Sequence, residues 1–289
     1  NILKIFKKKM KKIKLLIFIV AYNAEKTIQS VINRIPKKLS LIYDLEVLII
    51  DDCSKDYTFK ICKEISKSQK SYFKLNILYN PKNQGYGGNQ KIGYHYSIKK
   101  KFDLVVLLHG DGQYAPEELP KLLNGLHHGK FDVVIGSRMI KKKDALKGGM
   151  PLYKLVGNVI LTKIQNFLLK THLAEFHSGY RIYSVKSLKK IPFYLNTNDF
   201  HFDTEILIQL FLINSKIKEI SIPTFYGDEI CHVNGIKYAF NIIKTTSIAA
   251  LQKSFDLKFS KKYRKNNQMI KFYKNQTIDR LLVEAKKRN

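Results

Sequence analysis

The segment His109-Gly110-Asp111-Gly112-Gln113 holds three side chains that could bind a cation together. Alternate residues of an extended chain project to the same side, so an imidazole, a carboxylate and an amide can converge there. One nitrogen and two oxygens suit a divalent metal that keeps positions open for phosphate oxygens. The same residues also make an ordinary polar turn, and the motif by itself does not choose between the two. Four other polar clusters share its setting at the end of an apolar run: Ala21-Tyr22-Asn23-Ala24-Glu25, Asp51-Asp52-Cys53-Ser54, Asn83-Gln84-Gly85-Tyr86-Gly87-Gly88-Asn89-Gln90 and Gly136-Ser137-Arg138. Asp51 or Asp52 alone would be an ordinary helix N-cap. Met together at one edge of a sheet, these ends describe a site, because ligands of open α/β sheets lie beyond the carboxyl ends of the strands. The glycine loop is not a G-x-G-x-x-G: Gln90 holds the third glycine's place, and the loop follows the third strand. A dinucleotide-dependent dehydrogenase is therefore poorly supported.

The elements that must carry these ends alternate. Apolar runs predict strands at Leu15–Val20, Glu46–Ile50, Leu75–Tyr79, Leu104–Leu108 and Val133–Ile135. Helical spacing predicts helices at Glu25–Ile35, Thr58–Lys67, Gln90–Lys100 and Pro116–His127, the last with its proline in the first turn. Such β-α-β-α repetition implies a mostly parallel sheet with helices on both faces. Beyond it, Lys141–Met150 reads as a mobile basic loop. Tyr153–Lys170 reads as an amphipathic helix with Leu155, Val156, Val159, Ile160, Ile164, Phe167 and Leu168 on one side. Tyr180–Tyr183 and Lys218–Ile222 are expected strands, and Thr204–Ile213 and Ile236–Leu251 expected helices.

With the strand ends laid out in order, the chain resembles family 2 glycosyltransferases. It is most similar to the branch of dolichol-phosphate mannose synthase and the polyprenyl-phosphate glycosyltransferases, over roughly Lys14 to Gly235. The resemblance implies the GT-A nucleotide-diphospho-sugar transferase fold. It implies that Ala21, Tyr22, Asn23 and Glu25 hold the nucleotide's base and ribose. It further implies that Asp51 or Asp52 recognises the base and that Gly85 belongs to the family's Asn-x-Gly loop. The family's D-x-D signature falls on His109, Gly110 and Asp111, followed by Gln113, and carries the metal, Mn²⁺ or Mg²⁺. Arg138, in Gly136-Ser137-Arg138, would face the acceptor phosphate. Ser178-Gly179-Tyr180-Arg181 resembles the family's Ser-Gly-Phe/Tyr-Arg segment, which makes Ser178 and Arg181 acceptor contacts. Phe202-Asp203-Thr204-Glu205 resembles its acidic helix start on the acceptor side. Two departures stand out. His109 replaces the first aspartate, which removes a negative charge and shifts preference toward Mn²⁺, or leaves the metal to Asp111. Tyr226–His232 lacks the arginine and Ser-Lys pair of the polyprenyl enzymes, so the acceptor need not be a polyprenyl phosphate.

These implications predict a basic N-terminal segment (1–13), a GT-A domain (14–235) and a basic helical extension (236–289). The expected chemistry is metal-dependent inverting transfer from a UDP- or GDP-linked sugar, with Asp111 and Arg138 as central residues. The acceptor is expected to be a lipid phosphate, in cell-envelope or surface glycan synthesis. A hydroxyl acceptor would require a general base, for which Asp203 and Glu205 are the candidates. His177 and His232 are expected to be ordinary polar residues. The 52 Lys+Arg against 23 Asp+Glu fit either an anionic partner or a lysine-rich composition. Without a recognised nucleic-acid motif, the charge alone does not support nucleic-acid binding. The His109 substitution keeps a second reading open, a catalytically silent nucleotide-sugar-binding protein. Cys53, Cys62 and Cys231 are too scattered for a disulfide framework or zinc knuckle and read as reduced thiols of a cytoplasmic protein. The apolar runs Ile13–Ala21 and Ile206–Ile213 are too short to span a membrane, and the lysine-rich start lacks a signal-cleavage pattern. Membrane contact would be peripheral, through Ile236–Leu251 and the lysines. The chain begins at Asn1, which reads as a start that lacks its first residues.

Overall fold

The computed structural model describes residues 12–68, 72–126, 129–226, 234–255, 260–263 and 276–286. Its centre is a seven-stranded sheet in the order β3-β2-β1-β4-β6-β5-β7. The strands are β1 (Lys14–Ala21), β2 (Asp44–Asp51), β3 (Lys74–Tyr79), β4 (Leu104–His109), β5 (Val133–Ser137), β6 (Arg181–Ser184) and β7 (Ile217–Ser221). The helices are α1 (Ile28–Asn33), α2 (Leu39–Ile42), α3 (Thr58–Ser68), α4 (Tyr86–Lys99), α5 (Leu119–Asn124), α6 (Lys142–Lys147), α7 (Leu152–Leu169), α8 (Val185–Leu188), α9 (Phe202–Leu212), α10 (Gly235–Phe255) and α11 (Gln276–Lys286).

Both faces of the sheet are buried, which is why its inner strands read as continuous apolar runs. Alternation splits each strand between two cores: Leu16, Phe18, Leu48 and Ile50 pack into one, and Leu15, Ile17, Val47 and Ile49 into the other. The first core also takes in Ala249 of α10 and Leu282 of α11, so both C-terminal helices are packed onto the sheet-bearing body.

Register places the chemistry. Ala21 pairs with Asp51, Asp51 with Tyr79, and Val20 with His109, so the carboxyl ends of β1 to β4 finish level. The chain leaves β1 for β2 on one side and returns to β4 on the other, which opens a crevice between those ends.

Several expectations change. β6 runs antiparallel between β4 and β5, and its amino end therefore arrives at the edge where the others finish. The glycine loop is not a free loop: α4 begins at Tyr86, four residues before the expected start, with Gly87 and Gly88 buried in its first turns. Lys142–Lys147, expected to be mobile, is helical, because Ala145 packs into a small cluster with Met139 and Met150. α7 differs most. Its buried residues are Thr162, Gln165 and Leu169, while Val156, Ile160 and Phe167 of the expected apolar side are exposed. Tyr226 is the last described residue before Gly227–His232, so most of that departure from the family pattern, with His232 and Cys231, lies outside the described residues. Among the described residues, no helix is long and apolar enough to cross a membrane.

Candidate functional site

The crevice opens into a cleft of about 1640 Å³. One side is built from strand ends, with Ala21, Tyr22, Asp52, Gly85, Gly110 and Asp111; the other from α7 and α10, with Tyr153, Ile160, Ile164, Ile236 and Ile243. At the strand ends the two adjacent aspartates part company. The Asp52 side chain lines the cleft and accepts from Asn80 Nδ2 at 2.7 Å and from the Gln84 amide at 2.8 Å. Asp51 does not line it. It is fully buried, with Oδ1 on the Ser54 amide at 2.7 Å and Oδ2 without a hydrogen-bond partner. Asn23 and Glu25 also lie off the cleft. Asn23 Oδ1 accepts from the Lys55 amide and Glu25 Oε2 from the Tyr57 amide, so they tie the loop after β1 to the loop after β2. They brace the pocket rather than line it.

Gly85 makes the turn from β3 into α4. Its φ is +77°, and a Cβ there would lie 2.6 Å from the Asn198 carbonyl. That close approach lets the 197–200 loop join the cleft wall. Lys91 holds the loop from beneath, bonding the Asn196 carbonyl and, at 2.6 Å, Asn198 Oδ1.

At the end of β4, His109 and Asp111 face each other, with Nδ1 3.8 Å from Oδ2. Asp111 Oδ1 accepts from the Gln113 amide at 3.0 Å. Burial pushes the Asp111 carboxyl up; a protonated His109, that amide and Arg138 together outweigh it and hold it below the ordinary carboxylate range. The other imidazole nitrogen of His109 lies 3.1 Å from the Tyr86 hydroxyl, which donates to Asp203 Oδ2 at 2.8 Å. Burial and the charge of Asp203 raise Tyr86 well above the ordinary tyrosine value, so it keeps its proton. Asp203 Oδ1 takes the Gln90 amide at 3.2 Å.

The chemistry of this donor set fits a divalent metal. Asp111 and His109 present a carboxylate and an imidazole to the same open space, and Gln113 lines the cleft beside them. Among the described residues there is no cluster of three or more histidine, cysteine or acidic groups.

Arg138 follows β5 and lines the same cleft. Buried Glu175 grips it at 2.6 Å, Tyr114 lies under its guanidinium at 5.7 Å, and one nitrogen is 3.3 Å from the Tyr226 hydroxyl. Lys154, which the sequence did not single out, also lines the cleft, its ammonium 5.0 Å above the Tyr226 ring.

Three further expected site residues do not reach the cleft. Arg181 is fully buried and donates to the carbonyls of Ser178, Phe176 and Asp203 at 2.6–2.7 Å. Ser178 is buried with its hydroxyl on the Gly136 carbonyl. Both hold the crossing that leads into β6. Glu205 is buried against the Thr197 amide at 2.6 Å and Lys262 at 2.7 Å, facing away from Asp203. Residues two apart on a helix point roughly 200° from one another, so only one of the pair could line the cleft.

With the geometry in place, comparison with known proteins decides the family. The Glycosyl transferase family 2 profile matches residues 16–192. This chain belongs to that family. Among its relatives, the UDP-N-acetylglucosamine–dolichyl-phosphate N-acetylglucosaminyltransferase of Methanococcus voltae is 32% identical over 73% of this chain and 86% of its own length. The polyprenol monophosphomannose synthase of Mycolicibacterium smegmatis is 25% identical over 61% of this chain and 63% of its own. The fold is that of glucosyl-3-phosphoglycerate synthase from Mycobacterium tuberculosis, solved in complex with Mn²⁺, UDP and phosphoglyceric acid. That structure has a TM-score of 0.53 at 17% identity and covers 83% of this chain and 78% of that one.

In this family 2 transferase two buried groups respond to pH with opposite signs. Burial lowers His177 to about 4. Below the ordinary histidine value of 6.5 the unfolded chain binds a proton that the folded chain refuses. His177 therefore costs stability progressively as pH falls from 6.5 to 4. Burial raises Asp51 to about 6, so its cost is present above 6 and is relieved as pH falls toward 3.8. Asp51→Asn is thus expected to stabilise the protein at pH 7 by on the order of 2 kcal/mol and to steepen the loss of Tm between pH 6.5 and 4. Thermal melts across that range check this, and parallel curves for the two proteins would contradict it.

Proposed function

We propose that this transferase moves a sugar from a nucleoside-diphosphate sugar to an anionic lipid phosphate, with inversion at the anomeric carbon. The observation that carries the reading is one cleft with two chemically different walls. Asp52, the Asp111–His109 pair and Arg138 lie at the strand ends, while Lys154 and an apolar lining come from α7 and α10. The M. voltae relative is named for joining N-acetylglucosamine from its UDP-sugar to dolichyl phosphate, which suits both walls.

Asp52 would read the base, with Tyr22 and Gly85 flanking the nucleotide. Asp111, His109 and Gln113 would hold a divalent cation, Mn²⁺ or Mg²⁺, which when bound neutralises the charge that develops on the diphosphate leaving group. Arg138 and Lys154 would place the acceptor phosphate. Its oxygen forms the new bond to the anomeric carbon as the bond to the diphosphate oxygen breaks, and the nucleoside diphosphate departs with that electron pair. A phosphate oxygen is ionised at neutral pH and needs no base. This suits Asp203, whose two oxygens are already taken by Tyr86 and Gln90.

The outward apolar side of α7 and α10 gives the lipid reading a surface. Phe167 is 83% exposed, Ile236 86% and Phe240 65%, on helices that pack together beside the cleft mouth and carry Lys163, Lys237 and Lys244. Such a face suits peripheral contact with an anionic membrane. Labelled UDP- and GDP-sugars with Mn²⁺ and a polyprenyl phosphate in anionic vesicles are expected to yield a sugar-phosphate lipid. Phe167→Ser with Phe240→Ser is expected to weaken vesicle binding roughly tenfold or more. Transfer to a free hydroxyl but not to the phosphate would overturn the acceptor assignment. Nucleotide binding without turnover would leave a silent binding protein.

A further inference from the structure

His109 is embedded in contacts that the metal reading alone does not require. Its ring meets Tyr86 edge-on at 5.5 Å between centroids and Tyr114 at 4.9 Å, and Phe200 stacks on the far face of Tyr86 at 5.3 Å. Gly179, at the crossing into β6, closes the remaining side. A Cβ there would fall 2.5 Å from His109 Nε2 and 2.9 Å from the Tyr86 oxygen. The imidazole has one orientation, and its hydrogen bonds then decide where its proton sits.

Tyr86 owns a single hydrogen and stands between Asp203 Oδ2 at 2.8 Å and His109 Nε2 at 3.1 Å. A carboxylate oxygen offers only lone pairs, so the hydrogen goes to Asp203. The Tyr86 oxygen is left to accept, and Nε2 must supply the proton. A neutral imidazole protonated on Nε2 carries its lone pair on Nδ1, the nitrogen that faces Asp111 Oδ2 at 3.8 Å, beyond hydrogen-bond length. In that tautomer two acceptors are turned toward each other, an arrangement that a metal cation, or a proton on Nδ1, satisfies.

We propose that Tyr86 is a positioning residue that bridges Asp203 to His109, keeps a proton on Nε2 and so turns Nδ1 toward Asp111 as the nitrogen that would ligate a metal. The pairing explains how a histidine serves where the family resemblance expects an aspartate. A bare imidazole in a free strand end would put either nitrogen forward, whereas here the tyrosine chooses. It also ties the metal side of the cleft to the first turn of α9, on which the acceptor-side carboxylate rides. A site with one carboxylate and one imidazole holds less negative charge than a pair of aspartates and favours Mn²⁺ over Mg²⁺.

The inference rests on the metal assignment made above but is tested apart from sugar transfer. Long-range ¹H–¹⁵N correlation spectra of the metal-free protein are expected to show His109 protonated on Nε2, with Nδ1 in the unprotonated range. The reverse pattern overturns the proposal and needs no variant. Titration with Mn²⁺ alone, followed by electron paramagnetic resonance, is expected to show affinity falling about 10–100-fold in Tyr86→Phe, with part of the His109 population moving to Nδ1–H toward Asp111. Equal affinity in the two proteins, or no Mn²⁺ binding by the wild type, overturns it as well. If the acceptor or donor reading failed, both results would still stand. An active transferase with the opposite tautomer would lose this proposal alone.

Discussion

Asp111→Asn is expected to lower sugar transfer by roughly 10³-fold while leaving the fold intact. The substitution preserves shape. Asn keeps an oxygen for the Gln113 amide, now bonded at 3.0 Å, so the turn around Gly112 survives. What it removes is the charge. The side chain of Asp111 is 42% exposed into the cleft, and an aspartate there is ionised throughout the neutral range. Within the proposed mechanism no other carboxylate substitutes for it. Asp52 is engaged by Asn80 and Gln84, and Asp203 by Tyr86 and Gln90. Nucleoside diphosphate release at saturating donor and Mn²⁺ is the measurement, with thermal melting as the control. Full release by the variant would remove the metal from Asp111, and loss of activity accompanied by a large fall in Tm would assign the residue to the fold instead.

Much of the site was legible because strand ends are legible. Leu15–Val20 and Leu104–Leu108 are apolar on both faces, and the polar residues that follow them fall at one edge whatever the exact register. Three things were not legible, each for a physical reason. The segment Arg181-Ile-Tyr-Ser has the same apolar alternation in either direction, so nothing local announced that β6 runs antiparallel. The spacing in α7 marks an apolar side, but periodicity shows only that a helix has two sides, not which of them meets the core. Here Thr162, Gln165 and Leu169 turn inward and the aromatic and branched residues line the cleft or face solvent. The contact between Tyr86 and Asp203 joins residues 117 positions apart, and no spacing rule reports it. A tyrosine after Gly85 was the available sign. It sits at the start of α4, aimed along the sheet edge toward β4.

Arg181→Met, by contrast, is expected to act on stability and not on the acceptor. A family motif names a position, and the neighbouring Gly179 does lie in the cleft wall, but the Arg181 side chain turns the other way. Its guanidinium donates to three backbone carbonyls, lies 3.3 Å from the Tyr183 hydroxyl, and stands 3.8 Å from Asp203 Oδ1, all without solvent contact. Methionine fills much of the volume but satisfies none of these groups, and it leaves the Asp203 carboxylate without its buried counter-charge. Breaking a buried pair from one side costs about 3–5 kcal/mol, which for a chain of this size lowers Tm by about 10 °C or more. The donated carbonyls belong to Phe176, Ser178 and Asp203, so the crossing into β6 and the first turn of α9 would loosen together, and Gly179 and Asp203 with them. Below the new melting point, KM for the lipid phosphate is expected to stay within about threefold, whereas Arg138→Met should raise it. If Arg181→Met kept its Tm and lost acceptor affinity, the guanidinium would have to reach the cleft, and the arrangement of β6 described above would be wrong. A fall in Tm with KM retained places the positive charge for the acceptor on Arg138 and Lys154, and makes Arg181 the cation that holds the acceptor side of the cleft in shape.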